Sequence, residues 1–132
     1  MPAIVQAQAN ALLNVTLGVS SLTAPTTPMV CHLTTTVPTN TTAGTALSGT
    51  GSTPLSITFG SASAGQSTGP TGSALQWTNG SGGTWSIVGV EIWDSAGSPV
   101  RWWFGTWTGQ PISVSASSVF QVNVAGIAVQ LG

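Results

Sequence analysis

The sequence predicts an all-β protein, an antiparallel β-sandwich or jelly-roll-like domain with a short N-terminal helix or arm. Three observations predict it. From residue 29 onward, short runs alternate apolar and polar residues with the period of a half-buried strand. Clusters of Gly, Ser, Thr, Pro and Asn separate those runs at close spacing, as turns do in sandwiches and barrels. Hydrophobic residues make up 41% of the chain and charged residues 2%, so a core must be buried by a chain with little charge to keep a bare surface soluble. A β-solenoid would need a fixed repeat length, and the sequence has none. A length of 132 residues fits one domain with a real core.

The elements follow in order. In PAIVQAQANALLNVTLG, Ile4, Gln8, Ala11 or Leu12, and Val15 recur at helical spacing. Pro2 suits a first turn and Gly18 a C-terminal cap, although Val15, Thr16 and Leu17 equally suit a strand start. Residues 1–18 are therefore expected to form a helical anchoring segment with Ile4, Val5, Leu12 and Leu13 as its apolar grip. Residues 19–132 are expected to form a single β-sandwich domain, beginning with a connector over 19–28. PMVCHLTTTV puts Met29, Cys31 and Leu33 on one face, and LSITFG does the same for Leu55, Ile57 and Phe59. Residues 38–54 and 61–73 are polar loops. ALQWTN and the longest run, TWSIVGVEIWD, come next, then VRWWFGTW, QPISVS, VFQVNV and IAVQLG.

All three charged side chains, Glu91, Asp94 and Arg101, fall within EIWDSAGSPVRWWFGTW. Trp93, Trp102, Trp103 and Trp107 share that stretch, with Trp77 and Trp85 just upstream. Asp94-Ser95-Ala96-Gly97 has Asp first and Gly last, as a type I turn prefers. Folding back there predicts paired residue numbers that sum to roughly 192. Glu91 then faces Arg101, Val90 faces Trp102, and Gly89 leaves room for Trp103. A directly opposed ion pair would contribute about 0.2–1 kcal/mol and help fix register. Trp102 and Phe104 are expected on the core face with Val88, Val90 and Ile92; Trp103, Gly105 and Trp107 are expected on the other. A hairpin apolar on both faces needs two covers. One is the opposing sheet; the other is the N-terminal helix, a neighbouring subunit or a ligand. A sugar stacked on the tryptophans is the sharpest version, but a core or interface is the commoner fate of Trp.

Several function classes are weakened by composition. A net charge of −1 leaves no basic stripe for nucleic acid or an anionic membrane. No window approaches ~18 uninterrupted apolar residues, and the N-terminus lacks the basic region of a signal peptide. The single Cys31 cannot form an internal disulfide. Gly65-Gln66-Ser67-Thr68-Gly69 matches the G-x-S-x-G pattern, yet the Pro70-Thr71-Gly72 that follows is a poor start for the helix which that motif requires, the flanks are loop-like, and nothing brings His32 or Asp94 to Ser67. Neighbouring Cys31 and His32 point to opposite strand faces and are too few for a metal. Glu91 and Asp94 have structural partners in prospect, so acid–base catalysis lacks candidates. The expectation is a non-enzymatic protein without metal or cofactor. Sequons at Asn14, Asn40 and Asn79 carry no weight in so Ser/Thr-rich a chain.

ANALLNVTLG, LTAPTTPMVCHLTTTVPT, ITFGSASAGQSTGPTGSALQWTN and GVEIWDSAGSPVRWWFGTWTGQPISVSASSVFQVNVAGIAVQLG occur in an order that resembles a family of small phage virion proteins. Those proteins are often labelled tail-fibre or minor structural proteins. The resemblance covers nearly the whole chain and rests on order rather than on one motif. It departs at LSGTGSTPLSITFG, where relatives often carry an aromatic residue and an Arg, so any contact made by that Arg is not carried over. The resemblance implies a virion structural protein, assembled in the bacterial host cytoplasm, whose partners are the major capsid protein or tail proteins. Because the sequence shows no heptad or repeat for a shaft, a capsid decoration (cement) subunit is preferred, with a minor tail or tail-fibre component, able to bind host glycan through its Trp cluster, as the alternative. A homo-oligomer is expected, a closed trimer among the options.

Overall fold

The computed structural model describes residues 3–131. Its elements are β1 (Ala3–Ile4), α1 (Gln6–Thr16), β2 (Met29–Thr34), β3 (Leu55–Ile57), β4 (Gln66–Gly69), β5 (Leu75–Thr78), β6 (Trp85–Ile87), β7 (Gly89–Trp93), β8 (Arg101–Thr106), β9 (Ile112–Val114), β10 (Val119–Val122) and β11 (Ile127–Gln130). The all-β expectation holds. One antiparallel sheet runs in the order β1-β8-β7-β2-β3, and three two-stranded ribbons, β5–β10, β4–β11 and β6–β9, supply the other strands. A single core joins Cys31, Leu33, Ile57, Val90 and Ile92 of the sheet to Trp77, Trp85, Ile87, Val114, Phe120, Val122, Ile127 and Val129 of the ribbons. Met29, Cys31 and Leu33 share the core face, as do Leu55, Ile57 and Phe59, which is what their alternation predicts.

The run TWSIVGVEIW is not one strand. It leaves the β6–β9 ribbon at Val88 and enters the main sheet at Gly89. Val88 donates its N–H to Thr34 O at 2.8 Å and accepts from Trp107 N at 3.0 Å, so no backbone group is stranded at the corner. Gly89 is required there because a Cβ would lie 2.5 Å from Thr34 Oγ1 and 2.6 Å from Pro38 Cδ. It makes room for those residues, not for Trp103.

The N-terminus mixes two elements where one helix is expected. Ala3 and Ile4 pair with Phe104 and Trp103 and cover the β8 edge. Val5 is buried and donates to Trp102 O at 2.9 Å. The helix starts only at Gln6, so Ile4 belongs to a strand; Pro2 lies outside the described residues. Its far end is capped as Gly18 predicts. Gly18, at φ 71, donates to Val15 O, and Val19 donates to Asn14 O, which together make a Schellman motif. Despite this defined geometry, α1 has no buried residue.

Candidate functional site

The β7–β8 hairpin was the sequence's best candidate, and its register differs from the expected one. Gly89 pairs with Thr106, Val90 with Gly105, Glu91 with Phe104 and Ile92 with Trp103. The slip is three residues, an odd number, so it turns the opposite face of β8 toward the core. Trp103 and Trp107 pack against the core with Val90 and Ile92, while Trp102 and Phe104 do not. The cause is the loop. Asp94 N–H donates to Val100 O at 2.9 Å, closing a loop over residues 95–99 instead of a tight Asp94–Gly97 turn. The expected register would have paired Trp93 with Pro99, which has no N–H for the ladder.

A β-bulge then rescues the predicted ion pair. Register shifts between Ile92 and Trp93, so that Trp93 pairs with Arg101 and Trp102 becomes the extra residue. The shift places Arg101 on the face of Glu91. Arg101 Nη1 donates to Glu91 Oε1 at 2.9 Å and to Thr42 O at 3.1 Å. Gly44 N donates to the same Oε1 at 2.9 Å, and Trp93 Nε1 donates to Oε2 at 3.0 Å. The guanidinium carbon sits 5.6 Å from the Phe104 ring centre, within cation–π range. Thr42 and Gly44 belong to the polar loop, which folds back through Thr35 N to Thr45 O and Leu47 N to Leu33 O. The cover over the charges is thus supplied by the chain's own loop.

Asp94 organises the hairpin loop. Its Oδ1 accepts from Val100 N at 2.8 Å and Ala96 N at 3.3 Å, and its Oδ2 accepts from Thr26 N at 3.3 Å. Burial pushes its carboxyl up, but the N–H groups of Val100, Thr26 and Ala96 outweigh that and hold it below the ordinary range. The Trp102 indole, short of hydrogen-bond geometry, acts in the same direction. Gly97 lies exposed at the loop tip. His32, opposite Glu91 on β2, stacks on Trp93 at 5.5 Å. Burial lowers its pKa, and the Glu91 charge only partly opposes this.

Glu91, Asp94 and Arg101 are 2%, 5% and 8% exposed, so the surface carries no charged Asp, Glu, Lys or Arg side chain at all. All four carboxylate oxygens and Arg101 Nη1 are bonded within the chain itself. Ser67 lies on β4 with its hydroxyl donating to Gly60 O at 2.6 Å, in an antiparallel ribbon and not at a strand-to-helix turn. Cys31 is fully buried, which pushes its thiol up to about 12. None of the six tryptophans lies open as a stacking platform: Trp77 and Trp85 are buried, and Trp93, Trp102, Trp103 and Trp107 are half-buried. A cleft of about 270 Å³ between Val90, Trp107 and Ile127 has no titratable side chain in its lining.

The residue that sequence reasoning missed is Asn79. It is fully buried. Its Nδ2 donates to Gly83 O and Val114 O, both at 2.8 Å, and its Oδ1 accepts from Ser81 N and Ser81 Oγ. Its sequon carries no weight as a glycosylation pattern, but the same Asn-Gly-Ser spacing builds an Asx-type turn, with Ser81 N–H donating to Asn79 Oδ1.

A family model described as "Podophage GP4 fiber I protein gp80" matches residues 3–130. No curated protein and no solved structure matches the chain. The matched span takes in the helix, the sheet and all three ribbons, in line with the resemblance carried by segment order. The chain therefore belongs to the podophage GP4 fiber I protein gp80 family, and is a structural protein of the phage virion.

Proposed function

We propose that this protein is a non-catalytic component of a fibre-type appendage, in which the β body is displayed and the N-terminal segment 1–18 docks it onto a neighbouring virion protein. The observation that carries the reading is α1. An isolated helix shorter than ~12–15 residues is marginal in water, and this one has 11 residues with none buried. It has no side-chain N-cap, no acidic residue in its first turn and no basic residue in its last, so local electrostatics do not sustain it. Leu13, Leu17 and Val19 are 58%, 72% and 70% exposed around its C-terminal end. Such an element gains stability by docking.

Capsid decoration, preferred on sequence grounds, differs in which virion protein receives α1. The family description favours a fibre. Host-glycan binding through the Trp cluster is disfavoured, because the rings that would stack on sugar are walls of the core or half-covered. The test replaces Leu13 and Leu17 by Gln in the phage. The double variant is expected to fold, by circular dichroism and thermal melting, yet to be lost from purified particles. Incorporation at the wild-type level would refute the docking role. Antibody labelling of intact particles by electron microscopy then separates tail from head.

A further inference from the structure

The four residues Gln6, Asn10, Leu13 and Leu17 are all exposed and follow one another at steps of four, three and four. Steps of three and four are the a/d spacing of a coiled-coil seam, here with Gln6 and Leu13 at d, Asn10 at a, and Leu17, the C-cap residue just past the end of α1, extending the seam at the next a. A cleft of about 300 Å³ continues this face at its N-terminal end, between Gln6, Ala7 and Asn10 of the helix and Asn40 and Thr41 of the loop. We propose that the occupant of this seam is α1 of a second copy of the chain, the helices lying parallel with Asn10 against its counterpart. The inference rests on the reading of α1 as the docking element and names its partner.

Two observations select a second copy. An amide both donates and accepts, so Asn10 is its own complement, and a lone Asn at an a position specifies register in parallel coiled coils. Further, no charged residue occurs before Glu91 and all three charged side chains are buried. Copies of this chain therefore meet without like-charge repulsion, while a charged partner would find nothing to pair with. Leu13 and Leu17 supply the apolar contact, and the fixed take-off at Val5, hydrogen-bonded to Trp102, holds the seam in one direction.

The experiment uses the purified full chain in sedimentation equilibrium, with disulfide trapping of Leu13→Cys. Cys31 is fully buried and does not compete for trapping in the folded protein. Wild type is expected to associate, Leu13→Cys to cross-link under mild oxidation, and Leu13→Gln/Leu17→Gln to be monomeric with an unchanged melt of the β body. Asn10→Leu is expected to stay associated but to yield more than one stoichiometry. A double variant as associated as wild type, or Leu13→Cys that fails to cross-link within an associated protein, overturns the proposal. A monomeric wild type whose double variant is still lost from particles overturns self-docking and leaves α1 docked on another virion protein. A monomeric wild type whose double variant enters particles normally overturns both readings.

Discussion

Replacing Arg101 by Met separates a sealed ion pair from a surface one. At 2.9 Å and an effective dielectric of about 20, the Glu91–Arg101 attraction is on the order of 6 kcal/mol. Desolvation costs several kcal/mol for each ion, so the pair as a whole contributes little over an apolar pair of equal volume. Removing one partner is different, because the other charge stays buried. Arg101→Met leaves Glu91 with only the N–H groups of Gly44 and Trp93, and it frees Thr42 O, which loosens the loop over the sheet. The expected cost is about 3–5 kcal/mol. With an unfolding entropy of about 2.1 cal/mol/K per residue, that is a fall in Tm of roughly 10–18 °C. Urea denaturation of Arg101→Met, Glu91→Gln and the double variant measures both cost and coupling. The double variant is expected to lose about 2–3 kcal/mol less than the sum of the singles. A cost for Arg101→Met below about 1 kcal/mol, the range of exposed pairs, would refute the sealed cluster. Additive singles would show that Glu91 and Arg101 act independently.

Gly89→Ala places a Cβ against Thr34 Oγ1, Pro38 Cδ and Gly105 O, so overpacking is expected to cost about 1–3 kcal/mol in chemical denaturation; a neutral result would mean the corner is not tight. Asn79→Ala removes four side-chain hydrogen bonds and takes the buried donor from the Val114 carbonyl, for an expected loss of about 2–4 kcal/mol and faster amide exchange at Ser81. Acid sensitivity is expected in two windows. The His32 pKa is lowered by burial, so the unfolded chain binds more protons and stability falls as pH drops below about 6.5 toward the folded value. The Asp94 pKa is also lowered, so its contribution is complete above about pH 3.9 and lost as pH falls through the folded value. Folding free energy against pH checks this: His32→Gln should flatten the upper window and Asp94→Asn the lower, and an upper slope that survives His32→Gln would contradict the assignment.

How far the sequence determines this fold can be argued from three places. Alternation was sufficient on β2, so Met29, Cys31 and Leu33 read correctly, because a one-residue slip would turn all three away from the core. The β7–β8 hairpin read wrongly because both its faces carry apolar residues, which removes the penalty that fixes parity. There the loop decides, and the informative residue was Pro99, whose missing N–H forbids the tight register. The ion pair survived the wrong register because the bulge at Trp102 returned Arg101 to the face of Glu91. Complementary charge is satisfied by any geometry that brings the two groups together, so it marks contact more reliably than it marks alignment. Ile4 shows the same limit. Its spacing to Gln8 and Leu12 is helical, but the unpaired β8 edge offers Ala3 and Ile4 backbone partners that a helix would forgo. The periodicity of a segment is visible in the segment; the edge that captures it is built by residues a hundred positions away, and no local pattern carries it.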